Sequence, residues 1–390
     1  MIDAAIIGGG PAGIAAALRL KARGVPRVVI LERAAALGGV PRFSVQRVFG
    51  LREFGRLLTG PAYAERLAAS AQAAGVEILP GHDVTALRPN GALDVLTPDG
   101  PRLFAARRVL LATGARECEP AAGAGLGGVL NMSALQALLA AQAPPPFRRP
   151  VVVGAEMVPL SVLSLCRRHG IRPVAVLGER PRLNAGFILY PRLVRVPLIR
   201  GATVERIDGT SQVERVQLSN GAGLDCDGVL FAGEFLPEAR LVAASHLRFD
   251  AGSGGPAMDQ YGRCSDTSYF AAGKLAGAAG SCFRNGAAIG DYIADDLSGG
   301  LPSLEGRLEV LAGENIRFVV PQSLAHVAPL RGRLELRATG AVKGQLRVRA
   351  GEAVLYRRRV HAQAEQRLVI NLDGLKTPPD DALLTVEIVP

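Results

Sequence analysis

Residues 1–33 read MIDAAIIGGGPAGIAAALRLKARGVPRVVILER, and this stretch decides the fold. The apolar run at residues 3–7 has the length of a strand buried on both faces. Gly8-Gly9-Gly10-Pro11-Ala12-Gly13 comes next, then a helical pattern over about residues 12–23 and a second strand over about 27–31. Gly8 permits the tight turn, Gly10 lets a backbone approach a pyrophosphate, and Gly13 lets the helix pack closely on the strand. The helix N-terminus faces the phosphates with free N–H groups and a positive dipole end. Glu32, followed by Arg33, closes the second strand 19 residues after Gly13. An acid at that position accepts hydrogen bonds from an adenosine ribose. Strand, turn, helix and acid together predict an α/β dinucleotide-binding unit.

Composition bounds what else the chain can be. With 390 residues, 48% of them hydrophobic, it buries two or three cores. The net charge is +10 and the pI about 9.9, yet the excess is scattered Arg with no block of five like charges. Aromatic residues are 5% of the chain, too few for the aromatic-interleaved basic stripe of a nucleic-acid binder. An anionic cofactor or an acidic partner subunit is the better use of the charge. Cys118, Cys166, Cys226, Cys264 and Cys282 lie far apart, which argues against a disulfide framework, a structural metal or an iron–sulfur cluster. The opening apolar stretch is broken by Gly8 to Gly13 and lacks a basic leader, so it reads as mature fold rather than signal peptide. No run approaches the roughly 18 apolar residues of a membrane span, and the expected location is the cytoplasm.

The residues after Glu32 bear on which dinucleotide is held. LGGVPRF, residues 37–43, is another Gly-rich turn. GGGPAG, the acid and this glycine pair resemble the flavin domain of the two-dinucleotide-domain flavoproteins, the glutathione-reductase-like fold. RVLLATGAR, residues 108–116, resembles the strand ending in ATG that closes that domain, and implies Ala112, Thr113 and Gly114 near the adenosine half. SYFAAGKLAG, residues 268–277, resembles the segment whose Gly273 and following polar residue reach the ribityl chain and pyrophosphate. NGAAIGDYIADDL, residues 285–297, implies a helix whose N-terminus, with Gly286 and Ala287, aims at the flavin pyrimidine edge. The same resemblance implies FAD as the cofactor and further contacts from Gly9, Gly39, Val40, Asp83 and Val84. Lys274 stands where Asp or Asn is usual, and Lys donates but cannot accept a hydrogen bond. Beside the ring its charge would stabilise negative charge there; a solvated surface lysine is the equal alternative.

FGLREFGRLLTGPAYAERL (49–67), VVVGAEMVPLSVLSLCRRHGIRPVAVLGERPR (151–182) and CDGVLFAGEFLPEARLV (226–242) narrow the resemblance. Together they look like the flavin-containing A or alpha subunits of heteromeric dehydrogenases. That group includes subunits of hydrogen cyanide synthase and opine oxidases and glycerol-3-phosphate dehydrogenase-like proteins. The likeness runs from residue 1 to about 300. It implies oxidation of a small amine, imino acid or hydroxy compound, with a second flavoprotein or electron-carrier subunit. Two departures stand out. Phe43-Ser44-Val45-Gln46-Arg47-Val48 occupies the place of a Cys and His cluster, and no cysteine-rich iron–sulfur segment is present.

The domain boundaries expected are 1–117 with 264–303 for the FAD domain, 118–263 for a second Rossmann-like domain inserted in it, and 304–390 for a small all-β sandwich. The inserted domain keeps only the first fingerprint glycine, Gly154. Glu156 replaces the second and would repel a pyrophosphate, Pro159 replaces the third, and Glu179-Arg180 is ambiguous for ribose recognition. Usual NAD(P) binding is therefore not expected there. In the tail, period-two alternation between Gly, Asn and Asp turns predicts antiparallel strands. Its Tyr356-Arg357-Arg358-Arg359 run reads first as a solvated strand face, with an acidic docking patch as the alternative.

Flavin carries the redox chemistry, so the protein places and tunes the ring. Ring-side candidates are Arg42, Phe43, Lys274, Arg284 and Asn285, an Arg there serving to hold a substrate carboxylate or stabilise reduced flavin, or equally to face a partner subunit. His82, His169, His246, His326 and His361 read as structural, no general base is evident, and no CxxC marks a disulfide reductase. Besides the dehydrogenase subunit, two readings stay open: a self-sufficient NAD(P)H-dependent flavin reductase, and a non-catalytic scaffold that has lost turnover.

Overall fold

Strand Ile2–Ile7 is apolar throughout all but one position and lies between Val28–Glu32 and Gly100–Leu111, parallel to both. The structure is a computed structural model of residues 1–390. It describes all residues except 45, 119, 121, 124, 155–158, 179–194, 233–234, 278–279, 304–305, 326–329, 331, 364–365, 377 and 379–381, together with the side chains of 140 and 159–161. Expectations for Glu156, Glu179, Arg180 and His326, and for the side chain of Pro159, therefore lie outside the described residues.

By its packing the chain forms two units. One comprises Met1–Gly39, Ala64–Ala115 and Pro237–Pro390; the other comprises Val40–Tyr63 and Arg116–Leu236. These packing units do not coincide with the boundaries expected above: 40–63 and 116–117 group with the inserted segment, 237–263 groups with the first unit, and 304–390 is grouped with that unit as well.

In the first unit the parallel strands run in the order Glu77–Pro80, Val28–Glu32, Ile2–Ile7, Gly100–Leu111, with Tyr269–Ala271 beside the last. Gly100–Leu111 continues into an antiparallel meander with Ala92–Thr97 and Asp83–Arg88. Ile6, Ile14, Leu20, Ile30, Leu110 and Phe270 are fully buried between sheet and helices. Helix Pro11–Ala22 begins with Pro at its first position, where no N–H is needed. It packs against helix Cys282–Leu297, where Gly286 and Gly290 meet the backbone of Ala12 and Ala16.

The tail is a β-sandwich. Ser323–Leu324, Leu308–Ala312, Leu384–Val389, Val342–Ala350 and Ala353–Ala362 form one sheet, and Ile316–Val320, Arg333–Ala338 and Arg367–Asn371 the other. Leu334, Leu336, Leu346, Val348, Ile370, Val386 and Ile388 fill the space between them. The sandwich is tied to the rest of its unit by polar contacts. Gln322 donates to Asp250 and accepts from the Met258 N–H, Gln260 exchanges two bonds with the Ala325 backbone, and Arg248 pairs with Glu309.

The second unit repeats the parallel theme in the order Leu198–Arg200, Ala175–Gly178, Pro150–Gly154, Gly228–Ala232, Val129–Asn131. Helices Met132–Ala140 and Pro159–Arg168 cover one face through Leu135, Val162 and Cys166. A three-stranded antiparallel sheet, Val204–Asp208, Arg215–Leu218 and Gly223–Asp225, covers the other through Val213, Val216 and Leu218. Asn131 caps the first of these helices by accepting from the Ala134 N–H at 2.8 Å.

Candidate functional site

All parallel strands of the first unit end at one edge, where Ile7, Glu32, Leu111 and Ala271 deliver the chain into turns. Open α/β sheets bind ligands outside these carboxyl ends. Gly8 has φ +104°, and a Cβ there would lie 2.6 Å from the Ala112 carbonyl oxygen, so the turn admits only glycine. At Gly13 a Cβ would lie 2.1 Å from the Gly8 oxygen, which sets how near the helix sits. Gly10 is different. A Cβ there would meet nothing nearer than the Gly39 Cα at 4.0 Å, an ordinary contact, while a Cβ on Gly39, at φ +59°, would lie 3.1 Å from the Gly10 Cα. Gly10 is extended at the helix N-cap without a side-chain cap bond, and its carbonyl accepts the Ile14 N–H. The N–H groups of Ala12 and Gly13 have no intrahelical partner by geometry, leaving a donor set suited to a pyrophosphate.

Glu32 is 9% exposed and organises the adjoining corner. Its Oε2 accepts from the Gly9 N–H at 2.8 Å and its Oε1 from the Ala34 N–H at 2.9 Å. Each oxygen keeps a further lone pair, which suits a vicinal diol. Its own carbonyl accepts the His82 N–H. Arg33 and Asp83 are exposed, whereas Val84 points into the core and offers a ligand only backbone. The orphan N–H groups and the spare carboxylate lone pairs fit an FAD adenosine and pyrophosphate.

Beyond Leu111, Ala112 is buried and the Thr113 hydroxyl donates to the Glu238 carbonyl at 2.8 Å, while the Glu238 N–H donates to Gly114. The Glu238 carboxylate is gripped by the Arg240 fork at 2.8 and 3.2 Å. Neither residue stands out in the sequence. The signal there is the Pro-Glu-Ala-Arg string after the strand at 228–232, which has no spacing rule of its own.

On the opposite side of the edge, the Asn285 side-chain oxygen accepts the Gly273 N–H at 2.6 Å and so shapes that turn. Gly286, expected to face the cofactor, has its missing side chain against Ala12, where a Cβ would lie 2.0 Å from the carbonyl oxygen. Its glycine identity thus answers to helix packing. Ala287 beside it is half-buried, and Lys274 and Arg284 are exposed. Burial pushes the Cys282 thiol up, partly offset by the Lys274 charge. Val40, Arg42 and Phe43 belong to the second unit, in a single 3-10 turn, Val40–Phe43, with the Arg42 guanidinium 5.4 Å from the Phe43 ring centroid. The structure therefore gathers the Gly8–Gly13, Glu32, Thr113–Gly114 and Gly273–Asn285 groups in one unit, and holds the Arg42 and Phe43 pair in the other.

The histidines have other occupations. His82 contacts the Pro80 carbonyl and the edge of Phe104, and His246 binds Asp266 at 2.9 Å against the Tyr269 ring. His169 comes after helix Pro159–Arg168, its backbone N–H returning to Leu165 and Cys166. None of the five cysteines is in a disulfide; burial pushes the Cys166 thiol up to about 12 and raises Cys226 and Cys264 as well. In the second unit Gly154 stands 2.5 Å, by its would-be Cβ, from the Ala232 carbonyl oxygen. Among the described residues no helix is long and apolar enough to cross a membrane.

Known proteins place this geometry. The opine oxidase A-subunit of Agrobacterium tumefaciens (strain Ach5) is 27% identical over 316 residues, 72% of this chain and 62% of that protein. The L-proline dehydrogenase structure from P. horikoshii aligns with a TM-score of 0.56 at 24% identity, over 76% of this chain and 56% of that one. Lactococcus lactis thioredoxin reductase aligns with a TM-score of 0.60 at 19% identity, over 77% of this chain and 99% of that one. The chain thus spans less than two thirds of the length of the first two proteins. At these identities the structural likeness speaks to the fold, that of the two-dinucleotide-domain flavoproteins with an added β-sandwich. Residues 2–289 match the family described as pyridine nucleotide-disulphide oxidoreductase, which covers most of the sequence. The chain belongs to the pyridine nucleotide-disulphide oxidoreductase family of FAD-dependent oxidoreductases, and its cofactor is FAD.

Proposed function

We propose that this chain is the flavin-containing subunit of a dehydrogenase that oxidises a small amine, imino acid or hydroxy compound and passes the electrons to a partner subunit. The observation that carries the reading is the placement of the thiols: the five cysteines are scattered in sequence, and none stands in the CxxC spacing of a redox-active dithiol. A family member with an intact cofactor cradle and no such dithiol must discharge its electrons elsewhere. The likeness to the A-subunit of an opine oxidase supports a multi-subunit enzyme.

When bound, FAD supplies the two-electron acceptor. In this reading the backbone of Gly8 to Gly13, with Gly9, Pro11 and Ala12, holds the pyrophosphate, and Glu32 the ribose, with Arg33, Asp83 and Val84 bordering the adenine. Ala112, Thr113 and Gly114 close the adenosine side, while Gly273 and Lys274 approach from the turn after strand Tyr269–Ala271, Gly286 and Ala287 from the start of the last helix, and Gly39 and Val40 from the earlier Gly-rich turn. Arg42, Phe43, Lys274, Arg284 and Asn285 are the ring-side groups, with Arg42 and Arg284 serving to orient a substrate carboxylate. The domain division 1–117 with 264–303, 118–263 and 304–390, a heteromeric assembly and a cytoplasmic location belong to the same proposal.

The test is anaerobic reduction of the purified holoprotein. Small amines, imino acids and hydroxy acids, tried with and without the candidate partner, should bleach the flavin while NADH and NADPH do not. Stoichiometric bleaching by either nicotinamide would replace this reading with a self-sufficient flavin reductase, and isolation of a chain unable to take up FAD would replace it with a scaffold.

A further inference from the structure

The outer face of the larger tail sheet carries a cationic surface of which the linear sequence displays only the run Arg357-Arg358-Arg359. In strand Val342–Ala350 the even-numbered Leu346 and Val348 point into the sandwich core, so Lys343, Gln345, Arg347 and Arg349 point away from it. Cross-strand register then sets Lys343 against His361, Gln345 against Arg359 and Arg347 against Arg357 on Ala353–Ala362. On the other flank Arg347 and Arg349 face Glu387 and Thr385 of Leu384–Val389. Lys343, Arg347, Arg349, Arg357 and Arg359 thus share one face, and the acid among the described residues of these three strands that neutralises part of it is Glu387. Arg349 already holds that carboxylate in a fork at 2.8 and 3.2 Å.

Like charges directly opposite on a sheet destabilise it. Arg347 and Arg357 are such a pair, and the buried Nε of Arg347 has no hydrogen-bond partner. Ala353–Ala362 is also the edge strand of its sheet, with Lys343, Arg357, Arg359 and His361 all exposed. A face that keeps this repulsion and leaves it uncovered is suited to a ligand of opposite charge. Its chemistry separates the candidates. Tyr356 lies opposite Val348 and packs against the core, so the cationic face offers no aromatic platform for bases. Its cations are mostly Arg, the residue enriched at protein interfaces where Lys is depleted, and exposed Val354 lies opposite Arg349 on the same face.

We infer that this sheet face is a docking surface for an acidic protein. The inference stands on the charge register of the tail and does not depend on which substrate the flavin site oxidises. Docking there would draw on electrostatic steering, which raises association rates and weakens with salt.

Fluorescence anisotropy of labelled poly-L-glutamate with the full-length, FAD-loaded chain tests it. Arg357→Gln with Arg359→Gln should weaken binding at least about tenfold, whereas Arg167→Gln with Arg168→Gln, exposed arginines of the other unit, should leave it unchanged. Removing the repulsion should not lower the melting temperature; if it does, Lys343→Gln with Arg357→Gln carries the same expectation. Equal weakening by the face and control variants would overturn the inference. So would tighter binding, at matched charge and salt, to an oligothymidylate or to phosphatidylserine vesicles, which would give the face to nucleic acid or to lipid.

Discussion

The two parallel units begin alike and differ in what their first turn leaves open. Gly8 and Gly154 each end a strand beside a neighbouring carbonyl, Ala112 at 2.6 Å and Ala232 at 2.5 Å from a would-be Cβ. The first glycine of a βα turn is therefore demanded by the sheet itself, whether or not a dinucleotide is held. Gly10 has no such clash: its would-be Cβ comes no nearer than 4.0 Å to the Gly39 Cα, so packing does not demand a glycine there. A glycine that packs and a glycine that receives look the same in a sequence motif and are separated only by what surrounds them.

Substitutions should separate the two kinds. Gly8→Ala meets both a positive φ and the Ala112 oxygen, and should cost about 2–4 kcal/mol of stability in urea unfolding, with or without FAD. Gly154→Ala lacks the φ penalty and should cost about 1–3 kcal/mol, with no change in flavin content per folded chain. If Gly154→Ala released flavin selectively, the equivalence drawn between the two glycines would break.

Glu32→Gln turns a donor toward the Gly9 or Ala34 N–H; unfolding should show a loss of about 1–2 kcal/mol, accompanied by weaker FAD binding in equilibrium dialysis. Gly10→Ala should change apoprotein stability by less than about 1 kcal/mol while raising the FAD dissociation constant about tenfold. Full FAD retention in that variant would mean that the backbone at Gly10 is not where the pyrophosphate sits.

The opposite edge of the same sheet supplies the smallest effect and a control. Partial burial pulls the Asp266 carboxyl upward, but N–H bonds from Ser268 and Asn90 and the His246 contact outweigh it and hold it below the usual aspartate range. Its stabilisation is present above the unfolded-state pKa and is lost as the pH falls through the depressed folded value. Asp266→Asn should flatten that acidic stretch of the stability profile and leave FAD affinity untouched, since the residue precedes strand Tyr269–Ala271 rather than following it.

The first strand, Gly-rich turn and helix were largely legible because they are local. Strand, Gly-rich turn, helix and terminal acid occupy consecutive residues, and their spacing carries the geometry. Glu238 with Arg240 was not legible, because its contacts to Thr113 and Gly114 cross more than a hundred residues of sequence. Gly286 shows the same limit in another form. Its place after Asn285 suggested a cofactor contact, while its partner, Ala12, is set by how two distant helices cross. The tail's strands were legible from period-two alternation, but Arg357 opposite Arg347 depends on register, which alternation alone leaves open.

By itself, the sequence determined that the chain holds an α/β dinucleotide-binding unit with a phosphate-binding turn, because backbone conformation and apolar period are local properties of residue order; FAD entered through the family resemblance. Tertiary structure alone decided which glycines are demanded by packing, which backbone the Thr113 hydroxyl meets, and which tail arginines share one face. Those outcomes depend on which distant atoms arrive within a few ångströms, and packing and strand register set that distance.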